Sequence, residues 1–116
     1  MTFETLSDAE LWAIANSLMD NLMDGSTEID HGKHCRDFTQ RLLDIVTPEY
    51  LGKVCHKYQN EKGFFTKRSP VALFRRPDSI AFIWKQHFSI AAGDYVAEMV
   101  LVNRDERFLV DHVLVF

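Results

Sequence analysis

At Gly63 the spacing of the apolar residues changes, and that change constrains the fold more than any other feature of the chain. Before it, apolar residues recur every three or four positions, the period of an amphipathic helix; after it they alternate, the period of a strand. Helices therefore come first and a sheet second. That order predicts an α+β domain with helices on one face of an antiparallel sheet, rather than alternating strand–helix units. With 116 residues the chain builds one core, so a single domain spans 1–116, with helices within 7–62 and the sheet over 64–116.

The helical half carries its own punctuation. In "LSDAELWAIANSLMDNLMDG", Ser7 and Glu10 form a capping box, Leu11, Ile14, Ala15, Leu18 and Leu22 make the apolar stripe, and Gly25 suits the stop. Asp30 can cap a second helix with the face Cys35, Phe38, Leu42, Ile45 and Val46. In "TPEYLGKVCHKYQNEKG", Thr47 is an N-cap and Pro48 fits the first turn. Leu51, Val54, Cys55 and Tyr58 form the stripe, and Gly63 closes the helix.

The second half reads as four strands. "SPVALFRRP" is a short one framed by Pro70 and Pro77, which favour a sheet edge. "SIAFIWKQHFSI", "GDYVAEMVLV" and "RFLVDHVLVF" follow, joined by the hairpin-length links "AAGD" and "NRDE". Alignment by parity collects Phe82, Trp84, Phe88, Tyr95, Ala97, Met99, Leu101, Phe108, Val110, His112, Leu114 and Phe116 on a bulky face, which should receive the helices. The other face holds Ile83, Lys85, Val96, Glu98, Val100, Asp111 and Val113. It is too aliphatic for a sheet surface left in water. A second copy of the chain is the simplest cover, because a two-fold interface uses one patch twice. Those seven residues are the expected dimer interface.

The helical hairpin, a third helix ending in "EKGFFTKRS" and the closing "GDYVAEMVLVNRDERFLVDHVLVF" together resemble the cystatin-like α+β superfamily. Its members include the nuclear transport factor family, the SnoaL-like polyketide cyclases and ketosteroid isomerase. The resemblance implies a curved sheet of about four strands wrapped around the helices as a cone with a pocket, and pairing of copies through the outer sheet face. The chain departs from the pattern at "NRDE", where many members place a glycine turn before a tryptophan. No catalytic set carries over from a named enzyme family.

If such a cone forms, parity points His112 into it, where an imidazole could act as acid, base or hydrogen-bond donor. Tyr58, Trp84, Tyr95 and Met99 would share the pocket with it. Asp111 faces the other side of its strand and is badly placed as a partner. His31, His34 and Cys35 fall on one helical face at metal-ligand spacing, but no Cys-x-x-Cys or HExxH motif supports them, and no metal or other cofactor is expected.

Charge is unevenly distributed. Residues 1–50 hold ten acids against three bases, whereas Lys53 to Arg76 is a basic stretch broken by Glu61 alone. A basic stripe can track phosphates, but the net charge of −4 opposes nucleic-acid binding. The stretch could also serve an adaptor that recognises an acidic partner. The opening "MTFETLSDAE" lacks a basic start and apolar run, and no apolar stretch is long enough for a membrane span, so a cytoplasmic protein is expected. Cys35 and Cys55 read as buried reduced thiols; their spacing leaves a disulfide between them open. The leading expectation is a non-catalytic, homodimeric domain that binds a partner or a modest apolar ligand. The alternative is a small isomerase- or cyclase-like pocket enzyme using His112.

Overall fold

A computed structural model describes residues 3–116. Four helices, α1 (Asp8–Glu28), α2 (His31–His34), α3 (Gln40–Ile45) and α4 (Pro48–Lys62), precede four strands, β1 (Phe65–Arg75), β2 (Ile80–Phe88), β3 (Tyr95–Arg104) and β4 (Arg107–Val115). The strands pair antiparallel in the order β1-β2-β3-β4, giving the expected α+β architecture.

The capping box opens α1: the Glu10 N–H donates to Ser7 Oγ and the Ser7 N–H donates to Glu10 Oε1, both at 3.1 Å. Gly25 does not end this helix. α1 runs on to Glu28, and Ile29 closes it in the left-handed conformation. Gly25 is instead the point where α2 packs on α1. A Cβ there would lie 2.5 Å from the His34 backbone nitrogen.

The second expected helix is broken in two. A single turn, α2, is capped by Asp30; the chain then extends through Phe38, and Thr39 caps α3 through the Leu42 N–H. A tertiary contact outweighs the local pattern here. The Val110 N–H donates to Asp37 O at 2.7 Å and the Thr39 N–H donates to Val110 O at 3.0 Å, so Phe38 lies as a parallel bridge beside β4. Cys35, Phe38, Leu42 and Val46 still reach the core, but Ile45 is left 51% exposed. α4 starts at Thr47 and stops at Gly63 as expected.

In the sheet, β1 is an edge strand but longer than the sequence suggests; it passes through Pro70 with irregularities on either side. β2 ends at Phe88, which leaves Ile90 outside it and exposed. The β3–β4 hairpin turns on Asp105 and Glu106, both at positive φ, so two non-glycine residues adopt the turn geometry that normally favours glycine.

The largest difference from the alternating pattern lies in β4. Val100 pairs with His112 and Leu101 pairs with Val110, leaving Asp111 as a β-bulge. The extra residue reverses the parity of everything after it. Phe108 and Val110 keep the inner face, but Val113 and Val115 now pack against the core, while His112 and Leu114 turn outward beside Val100 and Glu98. The expected inward His112 and outward Val113 are thus exchanged. Asp111 itself is anchored at the strand edge. Its Oδ1 accepts from Thr39 Oγ1 at 2.8 Å and from Arg41 Nε at 3.1 Å.

The core lies between α1 and the inner sheet face. Trp12 meets Phe82 and Trp84 edge-on at 5.2 and 5.4 Å, and the Trp84 indole N–H donates to Asn16 Oδ1 at 2.9 Å. The charge asymmetry is partly consumed here: Arg68 pairs with Asp20 at 2.6 Å and Arg75 with Asp8 at 2.7 Å, so basic β1 is docked on acidic α1.

Candidate functional site

α4 stands away from the sheet, and the gap between them is a groove of 470 Å³. Leu22, Met23 and Ser26 of α1 form its back wall, Leu51, Cys55 and Tyr58 line the α4 side, and Phe65, Phe88, Val113 and Val115 come from the sheet. Its mouth is apolar too: Ile45, Tyr50 and Val54 are 51, 49 and 42% exposed. Arg41, Lys57, Glu61 and Lys62 add charge around it.

Three polar groups meet inside. Ser26 Oγ lies 2.7 Å from the Tyr58 hydroxyl and 3.2 Å from Cys55 Sγ, and Gln59 Nε2 donates to the Ser26 carbonyl at 3.3 Å. Burial pushes both the Cys55 thiol and the Tyr58 hydroxyl up from their ordinary values, more than their hydrogen bonds lower them. Both groups therefore stay protonated at neutral pH, where they can hydrogen-bond but are not poised as nucleophiles. At the end of α4, Tyr58, Phe65, Phe88 and Tyr95 form a chain of rings with successive centroids 4.9, 5.2 and 5.1 Å apart. Lys62 Nζ sits 5.3 Å from the Tyr95 ring centre, within cation–π range.

Of the expected pocket residues, Tyr58 lines the groove. Trp84 and Met99 are sealed in the core at 1 and 0% exposure, and Tyr95 packs edge-on behind Phe88. His112 borders the groove from the edge of β4, but its imidazole lies on the outer sheet face, with Nε2 2.8 Å from Glu98 Oε1. Of the expected interface residues, Ile83, Lys85, Val96, Glu98 and Val100 do share the outer face, on the positions that alternate with the buried ones. Phe74, Leu114 and Phe116 add exposed apolar surface that strand alternation alone does not place there.

The two histidines of the metal-like cluster are committed to different carbonyls. His31 Nε2 donates to Val46 O at 2.7 Å, and His34 Nδ1 donates to Leu22 O at 2.8 Å. Burial lowers the pKa of His34, more than its hydrogen bond to the Leu22 carbonyl raises it, and so favours the neutral ring. Among the described residues no three metal-ligating side chains converge. Cys35 and Cys55 are free, buried thiols, and burial raises Cys35 to about 11. The carboxyl of Asp111 has the opposite environment. Burial alone would raise its pKa, but the hydrogen bonds from Thr39 and Arg41, with the charges of Arg41 and Arg104, hold it below the ordinary value.

Helices against one face of a four-stranded antiparallel sheet, with a groove between them, make a nuclear transport factor-like fold. Solved structures agree. The chain is similar to a designed protein with this fold, Rd1NTF2_05 carrying five substitutions, with 13% identity, a TM-score of 0.63, and coverage of 89% of this chain and 96% of that one. It is equally similar, at 10% identity and TM-score 0.63 over 86% of this chain and 91% of the other, to a putative calcium/calmodulin-dependent protein kinase type II association domain from Thiobacillus denitrificans. A third likeness, to Bd1075 of Bdellovibrio bacteriovorus, has 5% identity and a TM-score of 0.52, and covers 89% of this chain and 39% of that one. Identities this low speak to fold alone. No protein-family model and no curated protein sequence matches the chain. Among the described residues no helix is long and apolar enough to cross a membrane.

Proposed function

We propose that this chain is a non-catalytic binding domain whose groove between α4 and the sheet takes an apolar ligand. The observation that carries this reading is the groove itself: 470 Å³, within the range of ligand sites, apolar in its walls and mouth, with Ser26 and Tyr58 as the few polar groups inside. An acid–base role for His112 loses its support, since the imidazole is bonded to Glu98 on the opposite face of the sheet. The protonated Cys55 and Tyr58 suit orientation of a ligand better than attack on one. The apolar fluorophore anilinonaphthalene sulfonate tests the reading. It should bind the folded protein in a saturable way, and Val54→Asp, at the exposed mouth, should weaken binding without lowering Tm. Equal binding by the variant would refute the assignment.

The same reading includes pairing of two copies through the outer sheet face and a cytoplasmic setting. Half-buried Ile83, Val96 and Val100 beside exposed Leu114 and Phe116 make a patch that a second copy would bury twice over. Lys85, Glu98 and His112 at its centre would fix the register. The two buried, unpaired thiols suit a reducing compartment. Sedimentation velocity should show a dimer that Ile83→Lys converts to a monomer. A wild-type monomer at high concentration would rule the dimer out.

A further inference from the structure

Four consecutive residues of β4, His112 to Val115, border the groove. Side chains on one face of a strand come from alternate positions, so an unbroken run means that the strand presents its edge. The phase of the ladder shows which backbone groups that edge carries. Val96 and Phe116 exchange both hydrogen bonds, at 2.6 and 2.9 Å. In an antiparallel pair the bonded and non-bonded positions alternate, so Leu114 and His112 are the next residues bonded to β3. The N–H and C=O groups of Val113 and Val115 therefore point away from β3 and toward the groove.

Upstream, the chain closes this same edge itself. Asp37 and Thr39 take the N–H and C=O of Val110 at 2.7 and 3.0 Å, and the Arg41 guanidinium takes the carbonyl of Asp111. The covering segment then turns away into α3, and among the described residues nothing pairs with the backbone of Val113 or Val115. An open edge is a template for another strand unless charges or prolines blunt it. The sequence from 112 to 116, "HVLVF", carries neither an acid, a lysine nor a proline.

We infer that the occupant of the groove is an extended segment of a partner chain, added as a fifth strand along the free edge of β4 beyond Asp111. The inference rests on the binding-domain reading and names what is bound. Up to four backbone hydrogen bonds to Val113 and Val115 would hold the segment. The alternate side chains on its inner face would lie against Leu51, Cys55 and Phe65, and the mouth residues Tyr50 and Val54 would cover its other flank. Charge sets the outward positions. Arg41 is held by Asp111, which leaves Lys57 and Lys62 around the groove against Glu61, a small local excess of positive charge in a chain of net charge −4. The fitting partner is apolar on one face of its strand and acidic on the other.

The test uses an acetylated, fluorescein-labelled octapeptide of alternating Val and Glu, and the same peptide with N-methyl groups on alternate amides. Anisotropy should show binding of the first by the wild-type protein, weakened by about tenfold or more in the second, because the methyl groups remove backbone donors. Amide hydrogen exchange of Val113 and Val115, fast in the free protein, should slow in the complex. High salt should weaken binding further. Failure of the first peptide to bind, indifference to N-methylation, or unchanged exchange at Val113 and Val115 would each overturn the inference. Anilinonaphthalene sulfonate separates the two levels. If it still binds, the groove takes small apolar molecules instead of a strand; if it does not, the binding-domain reading falls as well.

Discussion

Each of the two long helices has one glycine in its interior, and alanine at the two positions should move stability in opposite directions. Gly52 in α4 has nothing within 4 Å of where a Cβ would go, so Gly52→Ala gains only the helix preference of alanine, about 0.5–1 kcal/mol. Gly25 in α1 has the same propensity to gain, yet its Cβ would meet the His34 nitrogen at 2.5 Å and Cα at 2.7 Å. Those are backbone atoms, so no side-chain rotation relieves the overlap, and α2 must withdraw by roughly 1 Å to restore ordinary contact. α2 is tethered against such a shift: Asp30 N–H donates to Gly25 O at 2.8 Å and His34 Nδ1 to Leu22 O at 2.8 Å. Overpacking of this kind costs about 1–3 kcal/mol, and loosening either tether adds about 1 kcal/mol. The net expectation is a loss of about 1–3 kcal/mol for Gly25→Ala, against a small gain for Gly52→Ala. At about 5 °C per kcal/mol, thermal unfolding followed by circular dichroism should place the two variants on either side of the wild type. A Gly25→Ala protein as stable as Gly52→Ala would refute the close α1–α2 contact. The groove would be affected with it, since Leu22, Ser26 and His34 stand along its wall.

The bulge at Asp111 predicts that Val113→Ala costs about 1–2 kcal/mol, whereas Leu114→Ala, at a side 47% exposed, costs under about 0.5 kcal/mol in dilute protein. Denaturant titration should show this order, and the reverse order would mean that β4 alternates without a bulge. His34 has its pKa lowered in the fold, so the unfolded chain takes up a proton first as pH falls below its ordinary value of 6.5. Stability owed to neutral His34 is complete above that pH and declines as pH falls toward the folded value; His34→Asn should flatten this part of a Tm–pH profile. For Asp111, whose pKa is also lowered, the stability is present above the ordinary 3.8 and lost below it, so Asp111→Asn should reduce the drop in Tm between pH 5 and pH 3. Cys35, held up at about 11, and Cys55 should react with iodoacetamide at pH 8 far more slowly in the folded protein than in urea; equal rates would contradict their burial.

What could be read from the sequence was what periodicity and caps encode. Ser7, Thr47 and Gly63 mark their helix ends as the sequence indicates, and the faces of β2, and of β3 as far as Leu101, follow alternation; Val102 breaks it by being buried next to Leu101. Three features escaped because their causes are tertiary. Gly25 carries a signal that local reasoning takes for a stop, but its meaning is the approach of a distant backbone. The break between α2 and α3 depends on Val110, more than seventy positions along the chain from Asp37. The exchange of His112 and Val113 follows from one extra residue in β4, which parity counting cannot register once it assumes a regular strand. A signal for it did exist: an Asp-His pair interrupts a strand that is apolar on both parities, and a polar interruption of that kind at a sheet edge suits a bulge. The groove itself was legible only through the resemblance to cone-shaped folds. Its lining draws on α1, α4 and three strands, and no local pattern assembles those.

We propose that the inner groove, and not the outer sheet face, takes the ligand. Methyl-resolved nuclear magnetic resonance of the protein titrated with anilinonaphthalene sulfonate tests it most directly. Saturable shifts are expected at Leu51, Val54, Val113 and Val115, with Ile83, Val96 and Val100 unmoved. Shifts confined to Ile83, Val96 and Val100 would place binding on the opposite face of the sheet and contradict it.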